Sequence, residues 1–381
     1  MRILYFIFLL SVFFSGCNHV TEKHGENKDV TTTPGLRVQY AKGFKLQDNG
    51  DFLAITIVNP WQKAENIAFR YYLTKKDTLP SLADNINTIK IPVKKIVCLS
   101  TTHIGFLDYI NQTDAVVGVS GARYVTNTKI AERISRGEVH DVGYDEQINY
   151  ELIVKLQPDL VIAYAVSGSE AGYLGKLREL GIRVMYVAEF LEEDPVAKME
   201  WVKVFAALFN KNNEVTARFD SVASRYRSLA LQASQIKHRP KVMLGLPWSG
   251  TWYISGGESY IARLIADAGG DYLWKDTGFK DSRPMSLEAV YARALEAEYW
   301  LNTGTANNIK EVTDIDGRFE NLQAIKNKNI FNYNRLSLTG GGNAYFETGV
   351  VEPEVILEDL ITILHPDVLP SHQLKYYKKL E

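Results

Sequence analysis

The longest regular pattern of apolar and polar positions lies near the middle of the chain, in residues 213–236. The apolar positions recur there at alternating spacings of four and three residues: Val215, Phe219, Val222, Tyr226, Leu229, Ala233 and Ile236. This spacing predicts one amphipathic helix, which would be roughly 36 Å long at 1.5 Å per residue. Pro240 closes the pattern, because proline cannot continue a helix. Such a helix is long enough to join two domains.

Short apolar runs alternate with helical patterns on both sides of this helix. The predicted strands are residues 96–99, 115–119, 160–164, 183–187, 242–245, 299–302 and 330–332. The predicted helices between and after them are residues 103–110, 150–156, 173–180, 259–268, 287–294 and 352–364. This alternation predicts an α/β fold with mainly parallel sheets.

The segment before this region, residues 34–92, has a different pattern. Its short β-rich runs include residues 44–46 and 52–58, which flank the turn pair Asn49-Gly50. Both turn positions tolerate a positive φ, so a hairpin is predicted there. We interpret this segment as an N-terminal extension that packs on the following domain.

The N-terminus reads as an export signal. Arg2 precedes an apolar run over residues 3–14, and small residues stand just before Cys17. The run is too short to span a bilayer, which takes about 20 residues. The pattern resembles a bacterial lipoprotein signal, which implies lipidation of Cys17; the alternative is an ordinary cleaved signal with an incidental cysteine. Residues 18–33 are polar and predict a flexible tether, and Cys98 is predicted to be a buried core residue.

Composition narrows the possible partners and activities. The chain has 381 residues, of which 46% are hydrophobic and 23% are charged, with a net charge of -2. This length favours two or three domains, and the charge gives no basic field for nucleic acid. The sequence has no Gly-x-Ser-x-Gly elbow, Walker loop or His-Glu-x-x-His motif, so we expect no enzymatic activity.

Two segments repeat across the long helix. The two segments are residues 149–164 and 286–303. Each begins with a polar residue, has a glutamate in the first turn of a predicted helix, and continues through an acidic corner into a predicted buried strand. Glu151 and Glu288 therefore lie in the first turn of equivalent helices. The helix dipole alone favours a carboxylate there. As a pair, however, they indicate a two-lobed protein that presents one acid from each lobe to a partner.

At these residues the chain resembles the substrate-binding lipoproteins of ABC importers, in the group that carries vitamin B12, ferric siderophores and haem. The similar segments are LQPDLVIAY (156–164), VGVS (117–120), VGYDEQINYE (142–151) and SGGES (255–259). The resemblance covers about residues 93–365. It departs from the family at Ala297-Glu298, where Pro-Asp is frequent, and in the extension, which is outside the common core.

The resemblance implies two α/β lobes joined by one long helix, as in class III periplasmic binding proteins. The expected organisation is a signal peptide (1–17), a tether (18–33), the β-rich extension (34–92), an N-terminal lobe (93–211), the interlobe helix (212–238) and a C-terminal lobe (239–381). Glu151 and Glu288 match the family's docking glutamates, which bind arginines of the membrane subunits. The expected protein is a monomer in the cell envelope, facing the periplasm and attached to the membrane through its lipid.

The ligand is expected between the lobes, because ligands of open α/β sheets bind beyond the carboxyl ends of the strands. The loops there are aromatic, and Tyr253 lies among them. The candidate ligand-binding residues are Thr102, His103, Arg123, Tyr124, Tyr164, Trp248, Trp252, Arg283, Tyr345 and Phe346. Each aromatic ring could instead pack in the core. Their concentration in loops favours binding.

The nature of the ligand stays open among several chelates. Too few histidines lie near the predicted cleft for a bare transition metal, although His103 with a tyrosine could ligate haem iron. Arg123 and Arg283 are fewer cations than an acidic siderophore would be expected to need. We therefore expect no resident metal or cofactor, and a corrinoid or a ferric chelate as cargo, with a slight preference for the corrinoid. The alternatives are a haem-binding protein and a surface-binding lipoprotein that does not transport.

Overall fold

The computed structural model describes residues 36–76, 87–144, 147–168 and 170–381. The predicted signal peptide, Cys17 and the predicted tether lie outside the described residues. Within the part described, no helix is both long and apolar enough to cross a membrane.

The extension forms a four-stranded sheet in the order β1-β2-β3-β4. Its strands are β1 (Phe44–Asp48), β2 (Leu53–Val58), β3 (Ala68–Thr74) and β4 (Thr88–Lys90). The first two strands make the predicted antiparallel hairpin, with Gly50 at a φ of +78° in the turn. The inward face of the sheet carries Phe44, Ile55, Ile57, Tyr71 and Leu73, all of which are buried.

Two buried carboxylates fix the start of the extension to the rest of the protein. Glu200 accepts hydrogen bonds from three consecutive backbone N–H groups, those of residues 39–41, at 2.7 to 2.8 Å. Glu192 accepts from the next two, those of Lys42 and Gly43, at 2.9 Å each. Lys203 Nζ lies 2.7 Å from Glu200 and balances its charge. The extension is therefore an integral part of this fold.

The N-terminal lobe has a parallel sheet in the order β7-β6-β5-β8-β9. Its strands are β5 (Ile96–Cys98), β6 (Val116–Val119), β7 (His140–Asp141), β8 (Leu160–Ala163) and β9 (Val184–Tyr186). Its helices are α1 (Thr101–Tyr109), α2 (Thr128–Ser135), α3 (Tyr150–Leu156) and α4 (Glu170–Glu179). Cys98 is buried in β5.

The connection between the lobes contains the long helix that the periodicity predicts. It consists of α5 (Pro195–Glu200), α6 (Val202–Leu208) and α7 (Asn212–Ser234). The buried side of α7 carries Val215, Phe219, Ala223, Tyr226, Leu229 and Ala233. The sequence analysis did not predict α5 and α6, because all seven residues of α6 are buried and such a helix shows no amphipathic period.

The C-terminal lobe repeats the plan of the first. Its strands are β10 (Lys241–Leu244), β11 (Thr251–Ser255), β12 (Asp271–Tyr272), β13 (Ser282–Ser286), β14 (Tyr299–Leu301), β15 (Ile330–Asn332) and β16 (Lys378–Lys379). Its helices are α8 (Tyr260–Asp267), α9 (Leu287–Ala294), α10 (Ile309–Thr313), α11 (Gln323–Lys326), α12 (Ala344–Glu347) and α13 (Pro353–Leu364). The main sheet has the order β12-β10-β14-β15-β16, with β16 antiparallel to its neighbour.

One prediction in this lobe was wrong. Trp252 and Tyr253 were expected in aromatic cleft loops, but β11 begins at Thr251 and pairs with β13 as an antiparallel ribbon. A two-residue turn precedes β11, with Ser249 and Gly250 at φ values of +49° and +78°. Both positive values are those of a type I′ turn, which matches the twist of paired strands.

The two lobes pack directly on each other beneath the cleft. Gly105 in α1 touches the backbone of Glu347 in α12, and a Cβ at Gly105 would lie 1.9 Å from the Glu347 carbonyl oxygen. The Thr126 N–H donates to Glu347 Oε2 at 2.8 Å across the same interface. The glycine loop of residues 340–342 in the C-terminal lobe lies against Arg123 and Tyr124 of the N-terminal lobe.

Candidate functional site

The paired glutamates occupy equivalent positions in the two lobes. Glu151 is the second residue of α3, whose N-cap Asn149 accepts from the Leu152 N–H at 2.9 Å. Glu288 is the second residue of α9, and Ser286 caps that helix in the same way. Both glutamates are exposed, and Glu288 has a distant ion pair of 3.8 Å with Arg318. Their carboxylates are thus available to a partner.

The acidic corner after each of these helices has a structural role. Asp159 Oδ2 accepts from the backbone N–H groups of Lys94 and Lys95, at 2.8 and 2.9 Å, where β5 begins. Glu298 Oε1 accepts from the Lys241 N–H at 3.0 Å, where β10 begins. Glutamate in the second lobe therefore makes the same contact as aspartate in the first. The departure from Pro-Asp at Ala297-Glu298 preserves this hydrogen bond.

A cavity of about 300 Å³ lies between the lobes, where strands of both sheets end. Its wall includes Thr102 after β5, Gly245 after β10, Asn302 after β14 and Tyr333 after β15. Four tyrosines line it: Tyr253, Tyr260, Tyr333 and Tyr345. This is the location expected for a ligand of an open α/β sheet.

Aromatic rings on one side of the cavity support one another. Tyr333 and Tyr345 are stacked, with their ring centroids 4.9 Å apart and an interplanar angle of 26°. Phe346 meets the Tyr333 ring edge to face at 5.3 Å and is 48% exposed. A flat ligand can gain burial and stacking energy on such a preformed surface.

Lys198 on α5 supplies the cationic group of the cavity wall. Its Nζ lies 4.8 Å from the centre of the Tyr260 ring. Burial lowers the pKa of Lys198, and the nearby Glu189 carboxylate opposes this shift. Glu189 is itself buried, which raises its pKa, and it accepts a hydrogen bond from Thr102 Oγ1 at 2.9 Å. The Lys198 ammonium group in the cavity wall and the buried Glu189 carboxyl group behind it are thus close enough to influence each other's pKa without forming an ion pair.

Three of the ten residues predicted to bind the ligand line this cavity, namely Thr102, Tyr345 and Phe346. Tyr253, which the sequence analysis also placed among the cleft aromatics, lines it too. Thr102 follows β5 closely, Tyr253 lies on the ribbon, and Tyr345 and Phe346 lie in α12.

Two predicted ligand-binding residues are in the core and not at the cleft. His103 is completely buried on α1, its ring 6.2 Å from Phe205, and burial lowers its pKa to about 3. Trp252 is completely buried against Trp300 at 5.8 Å and donates from Nε1 to the Leu244 carbonyl. The error has one cause: a position near a strand end does not say whether the side chain points to the cleft or into the core. Because Trp252 is on a strand, its neighbour Tyr253 faces the cleft instead.

Arg123 and Arg283 lie outside the cavity. Arg123 is exposed and contacts the Tyr124 hydroxyl, with its guanidinium 4.6 Å from the centre of that ring. Arg283 pairs in register with Ile254, so it projects from the opposite face of the ribbon to Tyr253. Its guanidinium lies 4.2 Å from the Phe279 ring.

The remaining predicted aromatic residues, Tyr124, Tyr164 and Trp248, also lie outside the cavity. Tyr124 packs against the glycine loop of the opposite lobe, and Tyr164 packs edge to face on Phe190 at 6.4 Å. Trp248 is 73% exposed at the start of the ribbon turn. None of these three rings is available as a cleft wall in this arrangement of the lobes.

Several residues of the cavity wall were not predicted from the sequence, among them Asn302, Tyr333, Tyr260 and Lys198. Asn302 and Tyr333 directly follow β14 and β15, so their positions at strand ends were a usable signal. Tyr260 is the first residue of α8. Lys198 had no signal, because it comes from the connecting helix α5 and enters the cleft only through the packing of the two lobes.

A larger cavity, of about 850 Å³, lies between the extension, residues 188–197 and the C-terminal lobe. Several of its charged groups pair with one another: Glu193 contacts both Lys42, at 3.9 Å, and Lys280, and Lys275 pairs with Asp271. This cavity is not at the carboxyl ends of the central strands. The smaller cavity is therefore the better candidate site.

Known proteins share this architecture. A family model described as periplasmic binding protein matches residues 96–335. A lipoprotein of uncharacterised function from Methanocaldococcus jannaschii is 26% identical over 97% of this chain and 94% of its own. The nickel–histidine complex of a Helicobacter pylori protein has a TM-score of 0.57 at 18% identity, covering 74% of this chain and 86% of that one. The periplasmic vitamin B12-binding protein of Vibrio cholerae has a TM-score of 0.50 at 16% identity, covering 74% and 99%.

These likenesses agree with the geometry described above. The matched segment begins at β5 and ends after β15, so it contains the sheet of the N-terminal lobe, the interlobe helix and the sheet of the C-terminal lobe except β16. The extension lies before it, but the archaeal lipoprotein aligns with nearly the whole chain. The chain belongs to the periplasmic binding protein family, as a class III member with two α/β lobes, one long interlobe helix and an additional N-terminal sheet.

Proposed function

We propose that this protein captures a metal chelate in the cleft between its lobes and delivers it to the membrane subunits of an ABC importer. The observation that carries the proposal is the aromatic cavity between the lobes, at the carboxyl ends of strands from both sheets. The solved structures with this fold include a vitamin B12-binding protein and a nickel–histidine complex. A lipid on Cys17 would hold the protein at the membrane that contains the importer.

The cavity favours a compact chelate over a corrinoid. Its volume of about 300 Å³ is at the small end of ligand pockets, and a corrinoid with its nucleotide loop needs far more space. A ferric chelate with planar ligating groups would match the stacked Tyr333 and Tyr345 rings. The preference derived from the sequence therefore shifts from the corrinoid to the ferric chelate.

The first test is a titration of the full chain in detergent with cyanocobalamin, haemin and a panel of ferric siderophores. Tryptophan fluorescence and visible absorbance report the binding. One-to-one binding of one chelate would support the proposal and identify the cargo. Binding of none would contradict it and favour a surface lipoprotein that does not transport.

Delivery to the importer is tested separately with the paired glutamates. The double variant Glu151→Ala, Glu288→Ala should bind the chelate with unchanged affinity but abolish importer-dependent uptake, because both carboxylates are exposed and lie away from the cavity. The matched control is Glu132→Ala with Glu320→Ala, which removes one exposed glutamate from each lobe at other positions. Normal uptake by the first double variant would refute the docking role.

A further inference from the structure

In the described part of the chain, the wall of the cavity between the lobes carries a cationic side chain but no anionic one. Among the described residues that line it, Lys198 is the one ionisable cation, and no carboxylate lies in the wall. The nearby acid, Glu189, is 3% exposed, so the fold seals it behind the wall. A ligand entering the cleft would therefore meet the ammonium group and not the carboxylate.

The hydrogen bonds of Glu189 show that its carboxylate is not an acceptor for the Lys198 ammonium group. Its Oε1 accepts the hydrogen bond from Thr102 Oγ1 at 2.9 Å, and Thr102 lies in the wall of the cavity. Its Oε2 is buried with no hydrogen-bond partner among the described residues. Within the described part of the chain, no carboxylate oxygen lies within the 4.0 Å of Lys198 Nζ that defines an ion pair. The Glu189 carboxylate thus favours the charged form of Lys198 only from a distance. It accepts no hydrogen bond from the Lys198 ammonium group.

The surroundings of Lys198 make an unpaired ammonium costly. The lysine is partly buried, and the Tyr260 ring, at 4.8 Å, offers its Nζ a cation–π contact but no hydrogen-bond acceptor. A buried charge is stable when it is both paired and hydrogen-bonded. An anionic oxygen placed in the cavity would supply both, at a site where water no longer competes strongly.

We infer that Lys198 is a specificity-determining residue of the cleft, and that the ligand is a compact chelate that presents an anionic oxygen group to its ammonium. This inference rests on the proposed function and narrows its substrate class. The stacked Tyr333 and Tyr345 rings on the cavity wall favour a planar body. Together these groups select an anionic chelate built from aromatic oxygen ligands, such as catecholates, over neutral or cationic hydroxamate chelates.

The test measures the affinity of the full chain for four probes of different charge and size. They are ferric 2,3-dihydroxybenzoate (anionic), ferrichrome (neutral), ferrioxamine B (cationic) and cyanocobalamin (neutral and large). The anionic probe should bind most tightly. Lys198→Met, which keeps the length of the side chain, should weaken its binding roughly 10-fold to 100-fold, the range for a hydrogen bond to a charged group. Lys198→Arg should retain much of the affinity.

Lys280→Met is the matched control, because Lys280 lies in the wall of the other cavity. This substitution should leave the affinity for the anionic probe unchanged. If the wild type binds a neutral probe best and Lys198→Met binds it equally well, the inference is overturned while the proposed function stands. If none of the four probes binds, both are overturned.

A second measurement covers the case in which Lys198→Met does not fold. Lys198→Gln, whose neutral amide still donates hydrogen bonds, is then the second variant. It should bind the anionic probe roughly 10-fold more weakly than the wild type and should bind ferrichrome with unchanged affinity. Equal affinities of Lys198→Gln and the wild type for the anionic probe would overturn the inference.

Discussion

The buried carboxyl of Glu347 should make the stability of the fold depend on pH. Glu347 is completely buried at the interface between the lobes, where its Oε2 accepts the Thr126 N–H at 2.8 Å and its Oε1 has no hydrogen-bond partner among the described residues. Burial raises the pKa of Glu347 from 4.5 to about 7. The folded chain therefore holds this proton more tightly than the unfolded chain does.

The sign and size of the effect follow from this difference in pKa. Below pH 4.5 the carboxyl is protonated in both states and contributes no pH dependence. Between pH 4.5 and about 7 the folded state binds more protons, so the free energy of unfolding falls as pH rises. Above this range the loss is complete, and at 1.36 kcal/mol per pKa unit it amounts to about 3 kcal/mol. The protein should thus be most stable, with respect to this group, in mild acid.

The variant Glu347→Gln isolates the contribution. The amide keeps an oxygen for the Thr126 N–H and carries no charge, so the variant should equal the wild type at pH 4.5 and exceed its unfolding free energy by about 3 kcal/mol at pH 8.5. Urea unfolding followed by tryptophan fluorescence at several pH values measures this. Glu132→Gln, at an exposed site on α2, is the control and should follow the wild type. Parallel curves for Glu347→Gln and the wild type would refute the reasoning.

Two further pairs of substitutions test the packing and the cleft. Gly105→Ala should destabilise the protein by about 1–3 kcal/mol or more in thermal or urea unfolding, because its Cβ would lie 1.9 Å from the Glu347 backbone oxygen. The control Gly175→Ala, in open space on α4, should be neutral or stabilising. Equal effects of the two substitutions would contradict the close contact between the lobes. Trp252→Ala should cost about 3–5 kcal/mol of stability as a core truncation, while Tyr253→Ala should spare stability and weaken chelate binding. If Trp252→Ala instead weakened chelate binding and Tyr253→Ala instead lost stability, Trp252 would lie at the ligand.

Much of the secondary structure was predictable because its signals are local. The helices at Tyr150–Leu156 and Leu287–Ala294 and the strand at Ile330–Asn332 have the predicted limits. The interlobe helix ends at Ser234, two residues before the predicted end. Capping residues such as Asn149 and Ser286 act on their own helices, so these helices begin where the sequence indicates.

Elements whose identity depends on distant partners were not predictable. The ribbon of β11 and β13 pairs Thr251 with Ser286, across 35 positions of the sequence. The short helix α12 carries Tyr345 and Phe346, which were expected in loops. In both cases the pairing or packing partner is far along the chain, and local periodicity carries no information about it.

The sequence by itself determined the two α/β lobes, the long helix between them and the matched glutamates, because each depends on periodicity or capping within a few residues. The tertiary structure alone decided which side chains meet in the cleft. His103 and Trp252 turn into the core, while Lys198 enters the cavity from a connecting helix. The physical reason is that the cleft forms from two sheets and a connection far apart in sequence, so its wall depends on how the lobes pack and not on any local pattern.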